Sequence, residues 1–230
     1  MKRKSLLILC FILPYFPIQA QDQAKTFSFK KGEVMDLIYL SAQPETDQLF
    51  DHYKKTAFPV AFEYSYQPQR GFAVKELTLG MNVSTSLIVG KWGSKEKREG
   101  FLDNIVKRVP DFHQQRRKLF EEFALTWYVM PKDVAFSVEG SKLNVATSFW
   151  QEDPATLKPF VRKWKKEIEK AGGKILLELT EGYSPTGYYF NPDVFLLIEW
   201  QDRASFDAFA KAHPLSTYEN LRHVHQVVIQ

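Results

Sequence analysis

Cysteine is almost missing from this chain: Cys10 is the only one in 230 residues. It falls in the opening stretch MKRKSLLILCFILPYFPIQA, where Lys2, Arg3 and Lys4 precede an apolar run from Leu6 to Phe16. Ile18-Gln19-Ala20 then leads into the polar Gln21-Asp22-Gln23. This is the layout of a cleaved secretory signal peptide over residues 1–20, and Pro14 and Pro17 leave the run too short and broken for a spanning helix. The mature chain is therefore expected to be secreted or periplasmic, with no membrane contact after cleavage. It has no thiol, no disulfide and no Cys-ligated metal. Its stability must come from a core, which roughly 210 residues (230 minus 20) can supply.

An excess of one charge is missing too. The 31 basic residues fall to 28 without Lys2, Arg3 and Lys4, against 27 acidic ones, a formal +1. A nucleic-acid partner has no electrostatic support from that balance. Nor is there a phosphate loop, a Gly-rich dinucleotide turn or a nucleophile elbow, so no cofactor is expected. Asn82-Val83-Ser84 is a glycosylation sequon, informative only in a host that glycosylates.

What is present is a repeat. Val194–His213, VFLLIEWQDRASFDAFAKAH, reads as a buried strand ending at Trp200, a polar corner, and a helix with Phe206, Phe209 and Ala210 on one side. Ser86–Val106 has the same figure, and Trp92 to Phe101 spans nine residues, as does Trp200 to Phe209. The offset is 108 residues (200 minus 92). Around these anchors each half reads β-α-β-β-α-β, the ferredoxin-like order. The first unit covers residues 33–130 and the second 142–230, joined by a linker over 131–141. In the first, a helix opens at Pro44, carries Leu49, Phe50, Tyr53 and Ala57, and is expected to stop at Pro59. In the second, Asp153-Pro154 starts a helix whose Leu157, Phe160, Val161, Trp164 and Ile168 form one stripe. Gly172-Gly173 ends it, and the final strand is expected at Val224–Ile229. Val194–Ile198 is apolar without alternation, so both faces of that strand must be covered. Helices can cover one face, and the sheet of the sister half the other. The fold class is thus α+β, two ferredoxin-like units packed sheet to sheet, and the mature chain is expected to be monomeric.

DPATLKPFVRKWKKEIEKAGGKIL and DVFLLIEWQDRASFDAFAKAHPL carry a resemblance to the dimeric α/β-barrel superfamily. Residues 143–229 resemble a family of small uncharacterised proteins within it, and the first half resembles it less, having Pro59-Val60-Ala61-Phe62 where the second has Gly-Gly. The resemblance implies a fused pseudo-dimer with a cavity between sheet and helices. Relatives in that superfamily include cofactor-independent monooxygenases, haem-degrading enzymes, lactone isomerases and haem-dependent peroxidases. Asn144 matches the haem-degrading pattern at its first position and His213 roughly at its third. Phe209 stands where that pattern has Trp, which argues against haem degradation; the first half offers Asp36, Phe101 and His113 at comparable places.

Two readings of function follow. The first is a module binding a small apolar or aromatic molecule, from the 15% aromatic content and the lack of a repeated polar constellation. The alternative is a cofactor-independent monooxygenase or isomerase-like enzyme with its site in the second half. Asn144, Glu199, Trp200, Phe209 and His213 are the candidate ligand-binding residues, with Asn144 as donor and Glu199 or His213 as base. The repeat places Lys91 opposite Glu199 (199 minus 108), so one ligand per chain is expected. His223 and His225 read as structural, His223 ending a short helix and His225 packing with Val227 and Ile229, so no metal site is expected. Tyr183, Tyr188, Tyr189 and Phe190 form an aromatic loop that could cover a pocket.

Overall fold

A computed structural model describes residues 24–230 apart from 186 and 219; the leader over residues 1–20 lies outside the described residues. The first half runs β1 (Lys25–Phe29), β2 (Val34–Ala42), α1 (Asp47–Glu63), β3 (Gln67–Pro68), β4 (Phe72–Leu79), β5 (Ser86–Trp92), α2 (Lys95–Arg108), α3 (Phe112–Leu119) and β6 (Phe120–Val129). The second runs β7 (Val134–Val138), β8 (Leu143–Gln151), α4 (Pro154–Lys170), β9 (Lys174–Thr180), β10 (Val194–Trp200), α5 (Arg203–Ala212), a 3-10 turn (Leu215–Thr217) and β11 (Leu221–Ile229). No helix among the described residues is long and apolar enough to cross a membrane.

Spatial strand order is β6-β2-β5-β4 followed by β11-β8-β10-β9. Numbering the four strands of each unit in sequence, both read 4-1-3-2, the ferredoxin-like order. The units are joined by strands that leave their own sheet. β4 pairs with β5 only at Phe72 and Ala73, then runs along β11 from Val74 to Leu79. The chain following β9 makes the matching move, crossing to β6 through bridges from Tyr183 to Trp127 and from Tyr189 to Leu125. Trp127 and Tyr183 exchange both backbone hydrogen bonds at 2.9 Å. These two crossings bring the ends of the sheets together and close them into one barrel of two ferredoxin-like units.

Strand alternation sorts the side chains. Odd positions of β2, β5, β10 and β11, such as Leu37, Val89, Leu197 and Val227, fill the barrel. Alternate positions face the helices, where Val34 and Trp92 pack under α1 and α2, and Leu196, Ile198 and Trp200 under α4 and α5. All seven residues of β10 are buried, Glu199 among them, as the unbroken apolar run Val194–Ile198 leads one to expect. Inside the barrel a few polar side chains are fully enclosed, among them Tyr39, Ser148 and His225. Burial, and then the neighbouring His223, pushes the His225 imidazole down to about 4, so it is neutral at physiological pH.

Three sequence expectations are corrected. The linker over 131–141 contains β7, which pairs antiparallel with β1 from Lys25 opposite Val138 to Phe29 opposite Val134. This ribbon buries Phe27, Phe29, Phe136 and Val138 against the barrel interior, with Phe27 and Phe136 stacked at 4.9 Å. Pro59 does not stop α1, which continues to Glu63. Its ring lies on the exposed side, where the unpaired carbonyl one turn back can turn to water, while Val60 and Ala61 remain buried. β11 begins at Leu221, so His223 lies in the strand rather than closing a helix, and it packs against Trp150 at 4.9 Å.

If each unit is closed only by the other, residues 141–230 expressed alone expose the barrel-facing surface of β8, β10 and β11. That surface is a large apolar patch, and the fragment is expected to self-associate or precipitate. Sedimentation showing a stable monomer with native-like circular dichroism is the contrary result.

Candidate functional site

The first half contains a cavity of about 320 Å³ between the helix-facing side of its sheet and α1, α2 and α3. Ile38, Leu40 and Ile88 form the sheet wall. Tyr53, Ala57 and Ala61 come from α1, Phe101 from α2, Leu119 from α3, and Phe120 and Phe123 from the start of β6. Ala57 and Ala61 make the space: they stand on the buried stripe of α1 beside Tyr53 and Val60, where a larger side chain would fill it.

The sister half shows the filled version. α1 and α4 are each 17 residues long, and laid end to end they are offset by 107 (154 minus 47), which sets the buried Trp164 and Ile168 of α4 opposite Ala57 and Ala61 of α1. Trp164 packs on Phe209 at 5.1 Å, on Tyr218 at 5.4 Å and on Phe160 at 6.0 Å. One indole thus occupies in the second half the place that alanine leaves free in the first.

Polar groups enter the first-half cavity from three elements. Asp36, the one charged residue of the apolar MDLIYL run, is 2% exposed and faces the helices. It accepts hydrogen bonds from Trp92 Nε1 at 2.9 Å and from Arg98 Nε at 2.9 and 3.1 Å. Arg98 is 1% exposed, and its guanidinium also lies 4.9 Å from the centre of the Trp92 ring. It reaches the sheet because α2, capped by the Ser94 side chain on the Lys97 amide, turns Arg98, Phe101 and Ile105 to the same face. Arg98 Nη1 is buried and has no hydrogen-bond partner. Arg116 enters from α3, donating from Nε to the Tyr53 hydroxyl at 2.9 Å, while its buried Nη1 is also without a partner. Its guanidinium lies over Phe112 at 4.2 Å and Phe123 at 4.7 Å, and 5.5 Å from Tyr188 of the second half. Burial works against the Arg116 charge, but the Tyr53 and Tyr188 hydroxyls outweigh it and keep the group protonated. Tyr66 lies against Trp92 at 4.7 Å, in space left by Gly90, where a Cβ would come within 2.8 Å of the Tyr66 ring. Burial, then the Asp36 carboxylate, raises the Tyr66 phenol well above its ordinary range, so it is a neutral donor.

The five residues expected to share a second-half pocket are divided by the sheet. Asn144 and Glu199 are cross-strand partners on the barrel side. Asn144 Nδ2 donates to the Glu139 and Lys142 carbonyls, and Glu199 Oε1 lies 3.5 Å from Lys174 Nζ. Trp200 faces the helices, packing on Phe209 at 4.9 Å, and Phe209 stacks on His213 at 4.8 Å. Phe209 and His213 border a second cleft, about 370 Å³, between α5 and β4. Neither cavity is lined by Asn144, Glu199 or Trp200. Among the described residues no three His, Cys, Asp or Glu side chains are grouped to hold a metal ion.

Two signals in the sequence point to the first-half set. A carboxylate interrupts the apolar β2 run, and arginines occupy apolar-stripe positions, Arg98 three before Phe101 and Arg116 four after Phe112. Charged residues are rarely fully buried unless paired, so each invited a search for its partner.

No protein-family model and no curated protein matches the chain. Solved structures overlap it at low identity. An anthrone oxidase-like protein shares 12% identity over 89% of this chain and 94% of its own, with a TM-score of 0.49. A mutant chlorite dismutase from Candidatus Nitrospira defluvii shares 10% over 88% and 93%, TM-score 0.49. A candidate monooxygenase from Fusobacterium nucleatum subsp. nucleatum shares 13% over 87% and 92%, TM-score 0.41. Overlaps at this level carry no activity across.

The buried ion pair gives a direct expectation for stability. Asp36→Ala leaves Arg98 charged and enclosed, which should cost about 3–5 kcal/mol in urea unfolding. The double variant Asp36→Leu/Arg98→Met removes both charges and should recover much of that loss. Strictly additive losses would show that the two side chains are not coupled.

Proposed function

We propose that this chain binds a small aromatic or largely apolar molecule in the first-half cavity. The observation that carries the reading is the asymmetry between the halves: alanine on α1 opens a space of about 320 Å³ where tryptophan closes its counterpart on α4. A cavity of roughly 150 Å³ suffices for a benzene ring, so this one suits about two fused rings. Walls of Ile, Leu, Phe and Tyr with a few polar groups are the usual make-up of such a site. One ligand per chain is expected, because Trp164 fills the corresponding place in the second half and the cleft between α5 and β4 lies elsewhere, bordered by the charged Glu76, Arg203 and Asp207. The basic and apolar character of residues 1–20 supports a secreted or periplasmic setting, and closure of the barrel within one chain supports a monomer.

Catalysis on the same molecule, of a cofactor-independent monooxygenase or isomerase kind, is the second reading. Tyr66, a neutral donor beside Trp92, is what favours it. A general base is the weak point. Asp36 already accepts three hydrogen bonds, and Asp47, the other lining carboxylate, is exposed in the first turn of α1. Binding is therefore the better-supported function.

Titration with naphthalene-sized aromatics, followed by calorimetry and by Trp92 fluorescence, tests the reading. Binding should be one to one, and Ala57→Trp, which copies the second half, should weaken it at least about tenfold while leaving the circular dichroism unchanged. The proposal fails if no such compound binds below millimolar concentration, or if Ala57→Trp binds as tightly as the natural sequence.

A further inference from the structure

The cavity holds one more cation than its buried carboxylate can balance: Arg98 is buried, and Arg116 is half-buried with its Nη1 enclosed. Asp36 engages Arg98 through both carboxylate oxygens, so those charges cancel. Arg116 has no such partner: it forms no ion pair among the described residues, and its polar side-chain contacts are hydroxyls, that of Tyr53, which accepts from Nε at 2.9 Å, and that of Tyr188. Its charge is held instead by ring faces, Phe112, Phe123 and Tyr188. With Nε engaged, the end of the guanidinium that carries Nη1 is buried, unpaired and part of the cavity lining. Leaving a charged donor unsatisfied in such a place is costly, and a planar guanidinium is matched best by a carboxylate. Arg98 supplies a second donor of the same kind, because Asp36 takes only its Nε and leaves Nη1 buried without a partner.

Resting on the binding function proposed above, we infer that the ligand is an aromatic carboxylic acid bound as its monoanion, the carboxylate received by Arg116 and a second acceptor oxygen, such as a ring hydroxyl or keto group, by Arg98. A monoanion fits because one uncompensated guanidinium stands in a cavity otherwise apolar; a phosphate dianion would leave a buried negative charge over. A neutral phenol would satisfy one donor and leave the Arg116 charge unbalanced.

Matched probes separate the acid from the cavity itself. Calorimetry on the full chain would compare 2-naphthoic acid, its methyl ester and 2-naphthol at pH 7. The acid should bind at least about tenfold more tightly than the ester. Arg116→Met should bring the acid-to-ester ratio to about one, and Arg116→Lys, which keeps the charge, should retain part of the preference. Should both Arg116 variants fail to fold, the acid-to-ester ratio of the natural sequence decides alone. Equal binding of acid and ester, or tighter binding of the ester or the phenol, overturns the acid while the cavity reading stands; it would mean that Arg116 only holds the Tyr188 loop against α3. Binding by none of the three overturns both.

Discussion

β10 is buried at every position from Val194 to Trp200, on both faces of the sheet. An antiparallel strand of this kind cannot border water, so two covers are obligatory. Burying apolar area at about 25 cal/mol per Å² makes two exposed faces far more costly than any local preference in the chain. α4 and α5 supply one cover and the sister sheet the other. The remaining architecture answers to that requirement: β4 leaves its own sheet to run along β11, the chain after β9 crosses to β6, and the β1–β7 ribbon adds Phe27 and Phe136 to the same interior. Because the cover is a second copy of the same unit, the barrel interior is filled about equally from both halves.

The helix-facing sides are under no such mutual constraint, and there the halves diverge. The second half stacks Trp164, Phe160 and Phe209 into a packed aromatic cluster. The first keeps Ala57 and Ala61 on the corresponding surface and has a whole extra helix, α3, where the second has a 3-10 turn. α3 delivers Arg116 to the space that the alanines leave, and α2 delivers Arg98. An enclosed charge on this scale costs several kcal/mol unless paired. Arg98 is paired within the chain; the incomplete pairing of Arg116 is what gives the cavity a chemical preference. Tyr188 links the site to the other half, since its hydroxyl lies 2.8 Å from His113 Nδ1 and its ring lies beside Arg116.

Periodicity made the fold legible. The 108-residue offset between Trp92 and Trp200, the helix stripe from Leu157 to Ile168 and the doubly apolar strands are local patterns, and each maps onto an element where it was expected. β7 was hidden because VAFSV is short and sits among linker-like residues, and its partner β1 lies more than a hundred residues away. Pro59 misled because a proline's cost in a helix depends on which face it occupies, which only packing decides. The site was the least legible part. Asn144, Glu199 and His213 drew notice as polar residues in apolar surroundings, yet strand alternation puts the first two on the side away from His213. A cavity is made by what is small, and Ala57 and Ala61 carry no signal until the helix that bears them is laid against its sheet. Asp36, Arg98 and Arg116 did carry one, as charges at apolar positions.

The central claim is that the ligand-binding volume belongs to the first half alone. A crystal structure of the full chain with 2-naphthoate bound tests it most directly. The account predicts difference density for one molecule between α1 and the β2–β5 face, its carboxylate against Arg116. Density instead between α4 or α5 and the second sheet, or in both halves, would contradict it.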